Sequence, residues 1–341
     1  MKTLFARQWF LICLAAALVV GFRFATPLAG FAQNFPVPLL VAFVLFLMAW
    51  TLDADALRRA VTRPQAAALG VTVNIVLLPA LAWLLGWLLV EPLNWGLALA
   101  AAVPCTLASA VVWTRRAGGN DAVALMVTMI TNVSCFITTP LLFWLLTGKD
   151  AETGRDPWQM VLKLMLVVVL PMVLGQALRL VPAAARWATA EKRLVAIVAQ
   201  AGILTMVLVG AVNSALKLEG AMADGGTGGP TLWQWVTMIV VVIVLHVVVL
   251  WAGCFLGRLT GLARSDWIAV GIAGSQKTLM VGLYVGLEQD LGVGLLPMLA
   301  YHAVQLLIDT PVADWLHRRG ASAHEAPPAS AANLPAEEAA P

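Results

Sequence analysis

The chain has 341 residues, of which 61% are hydrophobic and only 11% are charged, and its mean hydropathy is +0.88. A soluble domain needs about a quarter of its residues charged to cover its surface, so this composition excludes a soluble protein and indicates lipid as the main solvent. The net charge of +3 is too small to indicate a nucleic-acid partner. We therefore expect an all-α polytopic membrane protein.

Ten apolar stretches are long enough to cross a bilayer as helices, which takes roughly 20 residues each. Numbered in chain order as spans 1 to 10, they cover residues 8–28, 35–52, 65–90, 94–114, 121–147, 158–181, 192–214, 231–257, 265–287 and 293–316. Span 1 follows a basic amino terminus and could alternatively be a cleaved signal peptide. The count of ten spans favours a span 1 that is not cleaved. Residues 320–341 are rich in Ala, Pro, Ser and Glu, and we expect a disordered tail there.

Lysine and arginine are distributed unequally between the two sides of these spans. Of the 21 lysines and arginines, two, Lys163 and Lys277, fall within spans, and fifteen fall on one side. The other side receives Arg23, Lys149, Arg155 and Lys217. Because cytoplasmic loops are rich in Lys and Arg, we expect both termini in the cytoplasm.

Ten spans divide into two halves of five, and halves with an odd number of spans must lie in opposite orientations, as an inverted repeat. The fourth span of each half carries a helix breaker followed by small and polar residues, at 103–109 in span 4 and 271–278 in span 9. Pro104 should interrupt span 4 around residues 100–109, and Gly274 and Ser275 favour an opening in span 9. Broken helices in corresponding positions indicate a transport site, because their free N–H and C=O groups can hold ions.

Polar side chains also lie far from the ends of several spans. They are Asn74 in span 3, Thr128 and Asn132 in span 5, Gln276 and Lys277 in span 9, and His302 and Gln305 in span 10. Thr128 and Asn132 are four residues apart and therefore share a helix face. Such groups can join helices by hydrogen bonds. Because they occur together with two broken helices, we favour a polar site at the centre of the bundle.

Three ionisable residues of spans 8 and 10 have plainer interpretations. His246 stands alone in a Val/Leu run and is interpreted as a neutral, hydrogen-bonded packing residue. Asp309 and Asp314 lie toward the predicted cytoplasmic end of span 10, where ion pairing with Arg318 and Arg319 is expected.

Three segments of the chain resemble the bile acid:sodium symporter superfamily, and specifically its bacterial symporter-like branch. They are residues 103–122, beginning VPCTLASAVVWT and ending GGNDA, residues 274–279, GSQKTL, and residues 74–83, NIVLLPALAW. The resemblance extends over about 8–319. It implies a core domain at about 65–147 and 231–316, a panel domain at about 8–52 and 158–214, and a solute cleft between them, with spans 4 and 9 crossing in the core.

The resemblance also implies two sodium sites. Their ligands would be Ser109, Thr128 and Asn132 at one site, and Asn74 and Gln276 at the other; Ser275, Lys277 and His302 complete the candidate ion- or substrate-binding residues. Sodium-coupled members carry a glutamate four residues before the span 9 glutamine, where this chain has Ile272. Sodium is the one bound ion that the resemblance implies. Ile272 removes the negative charge of the glutamate and Lys277 adds a positive charge, and both changes weaken the case for bound sodium.

Lys277 lies near the predicted bilayer centre, where an ionised lysine costs roughly 2.5–3.5 kcal/mol. It could be structural, with its ammonium bonded to carbonyls of the broken helix. We favour an ammonium that occupies the space of a coupling cation, held by Gln276, Asn132 and free carbonyls. It could then exchange a proton and couple transport to the proton gradient, or stay charged and attract an anionic solute.

These features favour a secondary active transporter, symporter-like, for a small organic anion, coupled to sodium or protons. One alternative is an arsenite-type exporter, since Pro104-Cys105 and Val112-Trp113 match the pattern of such exporters in the superfamily. Another is a non-transporting membrane regulator of ion homeostasis. An enzyme is not expected, because Ser109 and Ser275 have no base beside them in the sequence and no other reactive constellation is found. The sequence does not identify the solute.

Reporter fusions at four loops test the predicted topology. Fusions near Lys149 and Gly226 should report the periplasm, and fusions near Arg59 and Arg186 the cytoplasm, because of the uneven distribution of basic residues. A cytoplasmic signal at Gly226 would contradict both the ten spans and the inverted repeat.

Overall fold

The computed structural model describes residues 2–52, 64–148, 157–223 and 230–325. Every regular element in these ranges is helical. The helices are α1 Lys2–Arg23, α2 Ala25–Asn34, α3 Val37–Trp50, α4 Pro64–Gly86, α5 Leu93–Ala102, α6 Ser109–Arg116, α7 Asp121–Thr147, α8 Trp158–Leu178, α9 Pro182–Ala190, α10 Lys192–Ala223, α11 Leu232–Leu259, α12 Arg264–Ser275, α13 Leu279–Glu288 and α14 Leu296–Glu325. The predicted loops around Arg59, Lys149 and Gly226 lie outside the described residues.

The all-α membrane architecture is confirmed. Within the described ranges, seven helices are long and apolar enough to cross a membrane, counting α12 and α13 together, and the bent pair α1–α2 would make an eighth. Helices α3 and α5 are apolar but shorter, at 14 and 10 residues. The count of ten spans and the inverted repeat stay predictions.

Span 1 is not the single helix over residues 8–28 that hydropathy predicts. Helix α1 ends at Arg23, and α2 leaves it at an angle of 105°. The cause lies in Pro27, which has no N–H to donate and whose ring would clash with the carbonyl of Arg23, four residues earlier. The chain therefore turns at Phe24, whose backbone is not helical, with φ −119° and ψ 34°.

The predicted interruptions of spans 4 and 9 are confirmed. Helix α5 ends at Ala102, directly before the extended Val103, and α6 begins at Ser109. A residue that precedes proline is disfavoured in the helical region, so Pro104 accounts for the extended backbone of Val103. In span 9 the helix continues through Ser275, and residues 276–278 are unwound, with Gln276 and Thr278 extended.

Span 10 is longer than predicted. Helix α14 runs to Glu325 instead of ending near residue 316, so residues 320–325 of the predicted tail are helical. Residues 326–341 lie outside the described part of the chain. The extension moves the middle of the helix toward its carboxyl end, and Asp309 consequently lies well inside it.

The two halves of span 9 lie at the centre of the bundle. The apolar stretch of Arg264–Glu288 is fully buried, whereas one-third of the apolar stretch of Pro64–Gly86 is buried. Helix α12 packs against α11, α4 and α7, while α3 packs against α8 and α10. Large apolar side chains such as Trp87 and Leu180 face outward, as expected for a surface that contacts lipid.

Small residues allow the closest approaches in this bundle. A Cβ added to Gly96 in α5 would lie 1.8 Å from the carbonyl oxygen of Gly294, in the short 3-10 helix before α14. Overpacking of this kind costs typically 1–3 kcal/mol or more.

We predict that Gly96→Ala lowers the free energy of unfolding in detergent by at least about 1–3 kcal/mol, because two backbones must move apart. Gly86→Ala is the matched control, since nothing lies within 4 Å of its added Cβ. Equal unfolding curves for the two variants would contradict this packing.

Candidate functional site

The break between α5 and α6 exposes five consecutive backbone carbonyls, and each accepts a hydrogen bond. The pairs are Thr139 Oγ1 to Ala102 O at 3.0 Å, Lys277 Nζ to Val103 O at 2.8 Å, Thr278 N to Pro104 O at 2.8 Å, Asn132 Nδ2 to Cys105 O at 2.8 Å, and Thr128 Oγ1 to Thr106 O at 3.1 Å. Unpaired backbone groups cost several kcal/mol inside a membrane. Donors from α7 and from the break in span 9 thus stabilise the unwound segment.

Side chains from two helices, α4 and α14, bond to the break between α12 and α13. Asn74 Nδ2, in a π-helical turn of α4, lies 3.0–3.2 Å from the carbonyl oxygens of residues 273, 274 and 276. The Tyr301 hydroxyl donates to the carbonyl of Ser275 at 2.7 Å. Gln305 accepts from the Lys277 N–H at 2.9 Å and donates to the Lys277 carbonyl at 3.0 Å. The two breaks therefore meet at one polar centre in the bundle.

Lys277 crosses from one break to the other. Its side chain is 1% exposed. The ammonium lies 2.8 Å from the Asn74 carbonyl oxygen, 3.0 Å from Asn74 Oδ1 and 2.8 Å from the Val103 carbonyl oxygen. Three neutral oxygens match its three N–H groups, and no carboxylate is among them. The geometry is that of a cation held by protein oxygens.

The partners expected for this ammonium were partly wrong. Free carbonyls do hold it, but Gln276 and Asn132 do not. Gln276 has extended backbone, with ψ 142°, and successive side chains of an extended chain point to opposite sides. Gln276 therefore faces away from the ammonium of Lys277, and Asn132 is bonded instead to the carbonyls of Cys105 and Thr128, each at 2.8 Å.

Gln276 is fully engaged by its neighbours. Its Oε1 lies 2.7 Å from the hydroxyl oxygens of both Thr106 and Ser109, and those two oxygens are 2.7 Å apart. Its Nε2 donates to a carboxylate oxygen of Asp309. An ion could use Gln276 Oε1 only by displacing a hydroxyl, so we do not assign Gln276 as an ion ligand.

The structure corrects the predicted surroundings of Asp309. Asp309 is 1% exposed, and it contacts His246 and Gln276 instead of the interfacial arginines. Asp314 forms a bidentate pair with Arg116 of α6, at 2.6 and 2.7 Å. The predicted hydrogen bond of His246 is present, with Asp309 as its partner.

The remaining candidates differ in where they point. The Ser275 hydroxyl donates to Ile272 O, 3.2 Å away within its own helix, so it is turned away from the centre. His302 Nδ1 lies 2.9 Å from Gln305 Nε2, as their shared face predicts. Asn132 Oδ1 is buried and has no hydrogen-bond partner among the described residues. Thr106 and Tyr301 are components that sequence reasoning missed.

A family model, described as the SBF-like CPA transporter family, matches residues 8–318 of the chain. The chain belongs to the SBF-like CPA transporter family. It is therefore a transporter-family membrane protein and not an enzyme, which confirms the predicted resemblance at the level of the superfamily.

Relatives carry transporter names. "Putative symporter YfeH" of Escherichia coli K12 is 28% identical over 243 residues, covering 69% of this chain and 70% of its own length. "Probable sodium/metabolite cotransporter BASS4, chloroplastic" of Oryza sativa subsp. japonica is 26% identical over 337 residues, covering 92% and 77%. "Sodium/bile acid cotransporter 7" of Danio rerio is 26% identical over 185 residues, covering 51% and 54%.

We predict that Asn74→Leu lowers the free energy of unfolding by about 2–3 kcal/mol, because it removes an oxygen from a buried ammonium and donors from three carbonyls. Lys277→Met in the same chain should recover part of this loss, giving a coupling of about 1–3 kcal/mol in a double-mutant cycle. Asn213→Leu is the control, since among the described residues Asn213 donates to Val209 O in its own helix. Additive effects of Asn74→Leu and Lys277→Met would contradict the contact.

Proposed function

We propose that the protein is a secondary active transporter of a small organic anion in a bacterial inner membrane, with both termini in the cytoplasm and with proton rather than sodium coupling. One observation carries the choice of ion. The Lys277 ammonium binds oxygens of Asn74 and Val103 where the resemblance implies a sodium site. A tethered cation there leaves no room for sodium on the same oxygens.

The anionic nature of the solute follows from the charge of this centre. An ammonium bound only by neutral oxygens keeps its positive charge uncompensated by direct contact, and in a low-dielectric bundle that charge attracts anions over several ångströms. Asn132 Oδ1 has no hydrogen-bond partner among the described residues, and it can accept a hydrogen bond from a donor group elsewhere on the solute.

The solute path lies between the proposed core, 65–147 and 231–316, and the proposed panel, 8–52 and 158–214. A cavity of about 260 Å³ lies at this boundary, between α8 and α13, and Tyr284 and Gln289 line it. An ion pair between Lys163 of α8 and Glu288 of α13 crosses the same boundary. The cavity and the polar pair at its edge support a solute cleft between the two proposed units.

Uptake into proteoliposomes tests this function. With a panel of carboxylates and sulfonates, chosen by a thermal-shift screen run with and without sodium, at least one anion should accumulate under an imposed pH gradient. Replacing sodium by potassium should leave that uptake unchanged, because the ammonium holds the cation position. Absence of flux for every anion of the panel, in reconstituted protein that remains folded, would contradict transport.

Lys277→Ala should abolish this uptake or make it sodium-dependent, because the mutation removes the tethered cation and frees its three oxygens. Lys217→Ala is a matched control, since Lys217 is exposed and pairs with Asp290 at 2.8 Å. Sodium-driven uptake by the wild type that Lys277→Ala leaves unchanged would overturn the assigned role of Lys277.

A further inference from the structure

A buried histidine and a buried aspartate form a pair that the ammonium centre does not use. His246 Nε2 of α11 lies 2.9 Å from Asp309 Oδ1 of α14, and both side chains are 0% exposed. Ionisable groups inside a membrane are costly, and where they occur they are commonly part of ion or proton pathways. The pair therefore calls for a function beyond packing.

The geometry leaves one nitrogen of His246 ready to accept a proton. An ionised carboxylate only accepts hydrogen bonds, so the Nε2 atom that faces Asp309 carries the hydrogen in the neutral ring. The other nitrogen, Nδ1, is buried without a hydrogen-bond partner among the described residues. A proton that binds at Nδ1 produces an imidazolium whose Nε2–H forms a charge-assisted hydrogen bond with Asp309.

Apart from Gln276, the polar groups near the pair bond to other partners. The Tyr301 ring meets the His246 ring edge-on, with centroids 5.7 Å apart, but its hydroxyl donates to Ser275 O. The Lys277 ammonium is turned toward Asn74 and Val103, and the Cys105 thiol lies beside Thr128. Arg116 of α6 pairs with Asp314, further along α14.

Gln276 connects the pair to both broken helices. One carboxylate oxygen of Asp309 accepts from Gln276 Nε2, while Gln276 Oε1 accepts from the Thr106 and Ser109 hydroxyls. When His246 becomes an imidazolium, its positive charge balances the Asp309 carboxylate, and Asp309 accepts less strongly from Gln276. A proton on the pair thus alters the hydrogen bond that holds the first residue of the span 9 break.

We propose that the His246–Asp309 pair is the proton-binding site of the transport cycle, with Gln276 as the positioning residue that links proton binding to the broken helices. This rests on the proposed transport function. In each cycle one proton enters from one side of the membrane, resides on the pair, and leaves to the other side; no other bond is formed or broken.

Nitrogen-15 NMR of the full chain in lipid, labelled at its 4 histidines, tests proton binding without any solute. The His246 signal is identified by its loss in His246→Gln, a change that retains an amide donor toward Asp309. As the pH falls from about 8 to about 5, this signal should change from neutral imidazole to imidazolium in the wild type. In Asp309→Asn it should stay neutral, because the stabilising carboxylate is gone.

Asp266→Asn is the matched control. Asp266 is the other aspartate found buried in the described chain, and it accepts from Asn120 at 2.7 Å. Its replacement should leave the His246 titration as in the wild type. A His246 that remains neutral throughout in the wild type, or that titrates identically in Asp309→Asn, would overturn the proton site.

Transport supplies a second readout that separates the two proposals. For an anion from the uptake panel, Asp309→Asn and His246→Gln should lower the ratio of pH-driven accumulation to solute exchange at least tenfold. An unchanged ratio in both variants would overturn the proton site. Absence of any flux in the wild type would contradict the transport function, while the histidine titration would still report on the pair.

Discussion

The Lys277 ammonium joins the two broken helices, and the rest of the polar centre is arranged around that contact. A helix that opens inside a membrane leaves carbonyls without donors, and lipid cannot supply them. Here the side chain that starts in one break reaches the carbonyl of Val103 in the other, while Thr278 of the same segment donates to Pro104 O. The span 4 break therefore supplies carbonyl acceptors, and the span 9 break supplies donors for them.

Two opposite charges are buried in this centre and are kept apart. Lys277 is surrounded by neutral oxygens, and Asp309 by His246 and Gln276. Direct pairing of the two would neutralise both and leave neither free to respond to a solute or a proton. Since Gln276 and Lys277 are neighbours on extended backbone, each faces one of the two charge centres. Movement of the span 9 break would therefore change the contacts of both Lys277 and Asp309.

The resemblance implies a glutamate where the chain has Ile272, and in the structure a carboxylate reaches the span 9 glutamine from a different helix. Asp309 on α14 contacts Gln276, whereas Ile272 is fully buried in apolar surroundings. The negative charge of the centre is thus present at a different position. Its partner is a histidine, which can carry a proton, and this supports proton coupling.

Local chemistry made part of this site predictable. Pro104 sets the break in span 4 by steric rules that act within four residues, and helical spacing places Thr128 beside Asn132, and His302 beside Gln305. The family model over residues 8–318 agrees with the quoted motifs.

Long-range contacts were not predictable in the same way. The direction of the Lys277 side chain depends on the extended backbone at Gln276. Asp309 is buried by contacts with His246 of α11 and Gln276 of span 9, which are distant in the sequence. The bend after α1 was missed because hydropathy does not register the clash that Pro27 would cause.

Binding of radioactive sodium to the purified protein tests most directly whether an ammonium holds the cation position. Lys277→Ala should bind sodium more tightly than the wild type, because in the wild type the oxygens of Asn74 and Val103 are bonded to the Lys277 ammonium. Saturable sodium binding by the wild type, of the same affinity in Lys277→Ala, would contradict this assignment.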